Sequence, residues 1–580
     1  MLRISKKFWE ILSQKQKMQI IPLIVMMLVG GLMESLSVSL ILPLISAIMA
    51  SEEWSSAWYA QIICTMFNIS TQKEYIKILL LILIGVFIVK NMYLLFEYYV
   101  QYTFILNGRY NIQKNLMEIF MHKSYSFFLN ASTGEILRIV ANDTGQAFNL
   151  LKTVLSFYTE LIVGVVLAIT VFIVSPSIAM LLGVSIAVEM FIIAKMIKPL
   201  MKRMGDRQRA EGALANKWFL QAYNGIKSIK VENREDYFCE NYSKHVKILL
   251  DADKKSQILS NMPRLIIEAC TMTIVFSFIG IMIDTGMPLE NIIPQLSAIA
   301  VAAMRLLPSV NRISAAINDV PFSEGGLDNL IKTMHSEDER GNETKLQMET
   351  FSPEISFNEN IALEKVVFSY DGTDKKILDN ADLVITKGQS IGVVGVSGAG
   401  KTTAIDIILG LLKPQAGAVS VDGNNIETSI ISWRKHISYI PQQIFLMDDT
   451  IRGNIAFGQK FEDIDDEAIW EALKEAQLDE FVESLPEGLD TYVGEQGVRI
   501  SGGQRQRIGI ARALYRNPDI IVFDEATSAL DGETEKAIME SIERLKGKKT
   551  LIIIAHRLST IENCDIVYAV KDGKFKVRNK

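Results

Sequence analysis

A glycine-rich segment in the C-terminal half has the residue types and spacing of a phosphate-binding turn. The sequence IGVVGVSGAGKTT reads as an apolar strand, a turn and the start of a helix, with the pattern G-x-x-x-x-G-K-T at residues 395–402. Backbone N–H groups at such a helix start bind phosphate oxygens. In this pattern Lys401 reaches the terminal phosphates and the hydroxyl of Thr402 holds Mg²⁺. The segment therefore predicts a nucleotide site that also binds magnesium.

Two acids after a second apolar strand supply the hydrolytic part of this chemistry. The segment IIVFDEATSALD, residues 520–531, ends its apolar run in Asp524 and Glu525. We expect Asp524 to hold Mg²⁺ through water and Glu525 to act as the general base on the attacking water. A plainer interpretation, in which the two acids only cap a helix, stays open from these residues alone.

A second possible anion site lies between these two segments. The sequence ISGGQRQR, residues 500–507, offers small residues and backbone N–H groups at a predicted helix start. It lies far along the chain from the first phosphate turn. A second phosphate site in one domain is explained if it serves a nucleotide held by another copy of the chain.

The first 320 residues contain long apolar runs, and the mean hydropathy of the whole chain is +0.21. A bilayer core requires about 20 apolar residues per helix. Six runs meet this length, and the first is too long for a signal peptide and shows no small-residue cleavage site. The predicted spans are approximately Gln19–Met49, Tyr75–Tyr98, Thr153–Val174, Ser177–Ile197, Leu265–Asp284 and Asn291–Leu307.

Lysine and arginine alternate across these spans. Residues 1–18, 100–152 and 198–264 are rich in basic side chains, whereas the connections between them have few or none. The positive-inside rule then predicts that both termini are cytoplasmic. The two long basic connections have helical composition, and we expect their turning points, near Phe128–Gly134 and Asn216–Gly225, to dock on the cytoplasmic domain.

The remaining composition excludes other classes of protein. The net charge is −6 and the pI is about 5.7, which argues against a nucleic-acid partner. Four cysteines lie far apart and match no zinc or redox spacing. A charged stretch without apolar periodicity separates the two halves, so the predicted domains are residues 1–330, a linker at 331–355, and residues 356–580.

The segments GVSGAGKT, ISGGQ, VFDE, SALD and AHR resemble, in order and spacing, those of ABC exporters of the half-transporter type. The resemblance spans essentially all 580 residues. It implies a multidomain membrane protein, with an all-α six-helix transmembrane domain and an α/β P-loop NTPase cassette. It also implies ATP hydrolysis coupled to transport, with ATP and Mg²⁺ as cofactors. Two copies would share two ATP molecules, and a homodimer is favoured over a heterodimer.

The resemblance also implies roles for individual residues. Glu525, His556 and Gln442 would be catalytic, with Gln442 favoured over the adjacent Gln443 by spacing. Tyr370 would stack on adenine, although it could be an ordinary strand aromatic. Ile500 replaces the usual leucine at the start of the signature. The Mg²⁺ ligands would be Thr402, Gln442 and Asp524. The ATP-binding residues would be Tyr370, Gly395, Ser397, Gly398, Gly400, Lys401, Thr402, Thr403, Ser501, Gly502, Gly503, Gln504 and Asp531.

Cations inside apolar spans are functional candidates because they are costly in a bilayer. Four of them, Lys90, Arg264, Arg305 and Arg312, would form a cationic belt that suits an anionic cargo such as a lipid pyrophosphate. The alternative is that the arginines extend to the interface and Lys90 pairs with an acid.

Three segments, ESLSVSLILPLIS, NMPRLIIEA and AMRLLPSVNRIS, look like those of flippases for lipid-linked oligosaccharides in bacterial protein N-glycosylation. We therefore expect a flippase in the cytoplasmic membrane, in contact with membrane lipids and a lipid-linked glycan. A multidrug or lipid exporter of the same architecture is the alternative. The aromatic stretch at residues 52–70 is interpreted as an outer segment that either lies on the membrane surface or serves as a connector.

Overall fold

The computed structural model describes residues 1–40, 44, 47–48, 58–69, 71–174, 176–284, 289–335, 354–525, 532–555 and 561–578. The chain divides into two compact units. The first comprises Met1–Lys123 and Ala131–Gly341, and the second comprises Ser124–Asn130 and Asn342–Lys580. The short segment 124–130 belongs to the second unit, and it includes residues 128–130 of the predicted turning point Phe128–Gly134.

The described part of the first unit is built from helices. One short helix precedes the first predicted span and another follows it, and the remaining helices carry or connect the predicted apolar runs. They are α1 (Leu2–Ile11), α2 (Gln14–Ser39), α3 (Trp58–Phe67), α4 (Gln72–Met121), α6 (Thr133–Leu137), α7 (Thr144–Val174), α8 (Pro176–Asn224), α9 (Ile226–Glu232), α10 (Glu235–Asp284) and α11 (Leu289–His335). The helix α5 (Tyr125–Asn130) belongs to the second unit, and a π-helix (Arg138–Asp143) joins α6 to α7.

The long helices extend well beyond a bilayer core. Helix α4 has 50 residues, which at the α-helical rise is about 75 Å, against a hydrocarbon thickness of about 30 Å. Its start is fixed by Thr71, whose hydroxyl accepts the backbone N–H of Glu74. By length and composition, four stretches among the described residues qualify as spans: Gln14–Glu34, Gln72–Met121, Thr133–Val166 and Glu235–Ser277.

The second predicted turning point lies later in the chain than expected. Helix α8 continues through Asn216 to Asn224, and the chain reverses around the short helix α9. Asn233, in the left-handed region with φ of +53°, ends that helix. The polar composition of residues 216–224 was compatible with either a turn or a helix, and packing of α8 against α10 decides for the helix.

Within its described residues, the cassette contains two sheets. Their strands are β1 (Asn360–Phe368), β2 (Leu378–Thr386), β3 (Ser390–Val394), β4 (Ala416–Val421), β5 (Asn424–Asn425), β6 (Ile437–Ile440), β7 (Ile520–Asp524), β8 (Thr550–Ile554), β9 (Ile566–Lys571) and β10 (Lys574–Val577). The smaller sheet is antiparallel, in the order β2-β1-β4-β5. The larger has the order β10-β9-β3-β8-β7-β6 and is parallel except for β10.

Helices surround these sheets. They are α12 (Lys401–Ile408), α13 (Ile430–His436), α14 (Ile451–Ile455), α15 (Asp466–Glu475), α16 (Asp479–Glu483), α17 (Gly502–Tyr515) and α18 (Gly532–Leu545). Short 3₁₀ turns span Ile426–Ser429, Phe461–Asp463, Gly488–Asp490 and Glu495–Gly497. Strands β3, β7 and β8 are buried along their whole length, as their apolar sequences predict for the centre of a parallel sheet.

Parallel strands bring their carboxyl ends to one edge of the sheet. This edge therefore gathers the phosphate turn after β3, Asp524 at the end of β7, and Gln442 shortly after β6. His556 comes two residues after the end of β8 in the sequence, but it lies outside the described residues. Asp531 and most of the predicted linker also lie outside them.

Candidate active site

The phosphate turn has the backbone geometry that its glycines predict. Gly398 and Gly400 have φ values of +76° and +101°, which favour glycine. A Cβ at Gly395 would lie 2.7 Å from the carbonyl oxygen of Val570, so that position has no room for a side chain. Helix α12 begins directly after this turn, and its first N–H groups are positioned for an anion.

Lys401 folds back over the turn. Its Nζ donates to the carbonyl oxygens of Gly395 at 2.8 Å and Val396 at 3.3 Å. The Tyr370 hydroxyl is 3.0 Å from Oγ1 of Thr403, and its ring meets Phe368 edge to face. Tyr370 thus lies beside the phosphate turn and is half-buried, and its contact to a nucleotide base stays a prediction.

The predicted magnesium-binding carboxylate is held by a tyrosine that the sequence analysis did not single out. The hydroxyl of Tyr439, on β6, donates to Oδ2 of Asp524 at 3.0 Å. Burial and the charge of Asp524 raise the pKa of Tyr439, so the hydroxyl remains a donor. Burial and the same charge also raise the pKa of Asp406, on α12, to about 6. A divalent cation would relieve this accumulation of negative charge.

Glu525 and Gln442 are joined directly. Nε2 of Gln442 donates to Oε2 of Glu525 at 2.8 Å, whereas the neighbouring Gln443 has no hydrogen bond among the described residues. Glu525 has a φ of +51°, unusual for a residue with a side chain. Its N–H is fixed by the carbonyl oxygen of Ile554 at 3.0 Å. This geometry holds a carboxylate and an amide where they can orient one water.

The signature segment forms an exposed helix start. Ser501 caps α17: its hydroxyl accepts the N–H of Gln504, and the Gln504 side chain accepts the N–H of Ser501, which completes a capping box. Ser501 and Gly502 are exposed, and a Cβ at Gly502 would meet nothing within 4 Å. An exposed, preformed helix start with no side chain above it fits an anion from a second molecule.

Arg512, on α17, is a structural link that sequence reasoning missed. It donates to the carbonyl oxygens of Asn454 and Phe445, each at 2.8 Å, and lies over the ring of Phe457. Burial lowers its pKa to about 10. It thereby connects the signature helix to the segment that follows Gln442. Only the arginine-rich sequence of α17 indicated such a role, and it does not reveal which arginine turns inward.

The predicted cargo cations have different surroundings. Lys90 is buried on α4, with its Nζ 4.7 Å from the centre of the Phe87 ring, whereas Arg264 on α10 is exposed. Arg312 on α11 forms an ion pair with the buried carboxylate of Glu160 on α7. Arg312 is therefore held by an acid inside the first unit, and this differs from the alternative in which the arginine extends to the membrane interface. The side chain of Arg305 lies outside the described residues.

Acids share this part of the first unit. Glu97 on α4 is buried, and a Cβ at Gly30 would lie 2.0 Å from its Oε2, so a side chain at Gly30 would displace that carboxylate. Glu34 lies close enough for its charge to act on both Glu97 and Arg312. The cluster formed by Glu34, Glu97, Glu160 and Arg312 is called the membrane-domain polar cluster below.

Known proteins match both units. Residues 20–301 match the ABC transporter transmembrane region, and residues 378–528 match the ABC transporter family. The ATP-dependent lipid A-core flippase of Desulfotalea psychrophila is 31% identical over 512 residues, covering 86% of each chain. This chain belongs to the ABC exporters of the half-transporter type. The exporter is thus a membrane protein that hydrolyses ATP with Mg²⁺ and couples hydrolysis to transport.

Two further matches agree with this assignment. The heterocyst differentiation ATP-binding protein HepA of Nostoc sp. is 30% identical, over 81% of this exporter and 76% of that protein. The solved structure of a bacterial Atm1-family ABC exporter with ATP bound superposes with a TM-score of 0.76 over 96% of this chain and 94% of that one. At 20% identity that structure supports the fold. The half-transporter architecture is consistent with a dimer, and the residue roles given above stay predictions.

Proposed function

We propose that this exporter works as a homodimer in the cytoplasmic membrane and moves an anionic lipid-linked oligosaccharide or a related glycan. The observation that carries the cargo proposal is Lys90, a buried cation inside an apolar helix. Burying an ammonium group in a membrane domain is costly, so such groups are usually kept for a function. A phosphate group of the cargo is an anion that such a cation would bind.

Other cations support the same cargo. Arg264 is exposed on α10, where it is accessible to an anion. The side chain of Arg312 is 58% exposed although it pairs with Glu160, so part of its guanidinium remains accessible. The similarity to a protein named as a lipid A-core flippase points in the same direction. The domains of the exporter would be residues 1–330, a linker at 331–355 and the cassette at 356–580, with both termini in the cytoplasm.

In the proposed cycle each ATP lies between the phosphate turn of one copy and the signature segment of the other. Lys401 neutralises phosphate charge, and Thr402, Gln442 and Asp524 hold Mg²⁺. Glu525 accepts a proton from the attacking water, with His556 at the γ-phosphate and Asp531 across the interface. ATP binding does work because it favours the closed pair of cassettes, and hydrolysis releases that preference.

The second candidate is an exporter of cationic amphiphiles, a multidrug type. The observation in its favour is the membrane-domain polar cluster, which holds three acids and one arginine. The buried Oε2 of Glu97 has no hydrogen-bond partner among the described residues, and an ammonium group would provide one. The two candidates therefore differ in which charge the membrane domain presents to its cargo.

Reconstituted liposomes distinguish the two candidates. ATP hydrolysis is measured together with movement of a lipid-linked oligosaccharide and, separately, of a cationic amphiphilic dye. Glu525→Gln is expected to lower hydrolysis and transport by about a hundredfold or more, the typical contribution of a general base. Lys90→Ala, and likewise Arg305→Ala, is expected to reduce oligosaccharide movement by about tenfold, the loss of one charge-assisted contact, with hydrolysis retained.

Lys77→Ala is the matched control, since Lys77 is an exposed cation on the same helix as Lys90. It should leave oligosaccharide movement unchanged. Normal hydrolysis with no movement of the oligosaccharide would refute the glycan cargo. Movement of the dye that is lost in Glu97→Gln would then establish the second candidate.

A further inference from the structure

A polar cavity of about 400 Å³ lies within the first unit, between α4, the π-helix, α7, α8 and α10. Its volume falls within the range of small-molecule sites, about 300–1,000 Å³. Charged and amide side chains form much of its lining, unlike a typical apolar pocket. The polar side chains of the lining are those of Arg109, Arg138, Asn142, Asp143, Gln146, Asn149, Gln208 and Arg209.

Arg109 is the central cation of this cavity. It is half-buried on α4 and makes no hydrogen bond or ion pair among the described residues. A Cβ at Gly145 would lie 3.3 Å from its Nη2, so the glycine leaves space for the guanidinium. A half-buried arginine without a partner is costly to hold, because its desolvation is not offset by a counter-charge. A bound anion would offset it.

The π-helix directs further polar groups to the same cavity. Arg138 and Asn142 both belong to it, and π-helical turns occur frequently at functional sites because they shift side chains out of the α-helical register. Arg138 is only loosely engaged, since its Nη2 is 3.7 Å from Glu135 and 3.8 Å from Asp143. Two arginines from different elements therefore face one space.

Other polar groups in the lining already form hydrogen bonds or ion pairs within the unit. Arg209 pairs with Asp206 and donates to the carbonyl oxygen of Phe322 at 2.9 Å. Gln146 donates to Gln208 at 3.2 Å, and Gln208 donates to Asp253 at 2.8 Å. This chain of hydrogen bonds orients two amide groups at the wall. Asp143 is the acid in the lining, and its carboxylate accepts from Asn329 at 3.2 Å.

We infer that this cavity binds the phosphate or carboxylate group of a small hydrophilic molecule. Guanidinium groups match both oxyanions through paired N–H donors, and the amides suit the hydroxyl groups that accompany them in sugars. The site is separate from the nucleotide site. Arg109 lies about 16 Å along the helix beyond Tyr98, the last residue of its predicted span. The site would therefore lie outside the predicted membrane span, among the long helical extensions. It does not depend on the cargo proposed above.

Calorimetric titration of the purified full-length exporter, saturated with ADP and Mg²⁺ so that the cassette is occupied, tests this site. The probes are glucose 1-phosphate, glucuronate and uncharged glucose. Binding of at least one anionic probe, and not of glucose, is expected. Arg109→Ala should weaken binding by about tenfold or more, the value of a charge-assisted contact. Gly145→Ala should weaken it as well, because the added methyl group crowds the guanidinium.

Lys114→Ala is the control, since Lys114 is an exposed cation on the same helix, paired with Glu118 at 3.7 Å. This variant removes the same charge without touching the cavity, and it should bind the anionic probes as the wild type does. Equal loss in Lys114→Ala and Arg109→Ala, or no anionic binding in the wild type, overturns the inference. So does a fall in the dimer fraction of Arg109→Ala without any probe binding, which would make the cavity a contact with the second copy. Liposome transport of the glycan is unaffected by these outcomes, so the two proposals fail separately.

Discussion

At the residue scale, the predicted hydrolytic centre depends on side chains that hold other side chains. Glu525 adopts a left-handed backbone conformation that costs free energy for a residue with a Cβ. The hydrogen bond from its N–H to Ile554 and the bond from Gln442 keep it there. Strained backbone of this kind clusters at functional sites, and a general base is the role predicted for Glu525. The neighbouring Asp524 is fixed in the same way, by Tyr439.

Tyr439→Phe removes the donor to Asp524 and keeps the aromatic ring. We expect the apparent Mg²⁺ requirement of ATP hydrolysis to rise by about tenfold, as for other partners that orient metal ligands, because the carboxylate loses its fixed orientation. The measurement is hydrolysis against Mg²⁺ concentration at saturating ATP. Tyr492→Phe is the control, since its hydroxyl donates to the carbonyl oxygen of Asp448 elsewhere in the cassette. An unchanged Mg²⁺ requirement in Tyr439→Phe would show that Asp524 needs no such support.

Asp422 accepts hydrogen bonds from the backbone at the start of the cassette, and this contact should make the free energy of unfolding depend on pH. Burial alone would raise its pKa, but three backbone N–H bonds from residues 358–360 lower it below the usual value. A lowered folded-state pKa contributes stability above the unfolded pKa, about 3.9, that is lost as pH falls through the folded value.

Asp422→Asn should therefore be less stable than the wild type at pH 7, and the difference should shrink as the pH falls below about 4. Thermal unfolding of the purified exporter over this pH range measures it. Asp371→Asn, at an exposed turn, is the comparison and should show no such convergence. A difference between Asp422→Asn and the wild type that stays constant with pH would contradict the assignment.

At the element scale, close helix packing depends on single glycines. Helices α8 and α11 approach so closely that a Cβ at Gly205 would lie 2.3 Å from the carbonyl oxygen of Phe322. A backbone atom cannot move aside as a flexible side chain can. Arg209, one turn along α8, donates to the same carbonyl oxygen. This contact sets the distance between the two helices.

Gly205→Ala is expected to cost about 1–3 kcal/mol, the usual penalty for overpacking, and to lower the unfolding temperature. Gly183→Ala is the matched control on the same helix, because a Cβ there would meet nothing within 4 Å. Thermal unfolding of both variants in the same detergent provides the comparison. If both variants lose equal stability, the effect belongs to helix propensity or to the membrane environment and not to the contact with α11.

At the scale of the whole molecule, the nucleotide site is proposed to be shared by two copies. Ser501 and Gly502 form an exposed helix start that fits an anion from outside the unit. Lys401 by contrast is buried at the phosphate turn of its own chain. A site formed within one chain and a site shared by two chains predict different behaviour when inactive variants are mixed.

Lys401→Ala and Gly502→Asp should each abolish hydrolysis, the second because a carboxylate would face the phosphates. Co-expressed, they should restore hydrolysis above either variant alone, because a mixed dimer retains one site with both halves intact. The measurement is ATP hydrolysis by mixed dimers purified through different tags on the two chains. A mixed sample as inactive as its parents would refute the shared site. Two copies of Lys401→Ala with different tags control for the purification.

The sequence by itself determined the family, the six apolar runs and the strands that precede the phosphate turn and Asp524. These follow from local patterns: apolar length sets a span, and a glycine turn between strand and helix sets a phosphate site. The comparisons confirm the exporter fold and its cofactors. The family resemblance favours Gln442 over Gln443, and Gln442 is the residue that donates to Glu525, although its catalytic role stays a prediction.

Only the tertiary structure decided which distant side chains meet. The pairing of Arg312 with Glu160 joins residues 152 positions apart, and no local pattern selects that acid over Glu34 or Glu97. The same holds for Tyr439 beside Asp524, for Arg512 beneath the segment after Gln442, and for the arginines of the polar cavity. Helical and strand periodicities predict which face of its element a side chain occupies. The partner on the opposing element is fixed by packing, which depends on the whole fold.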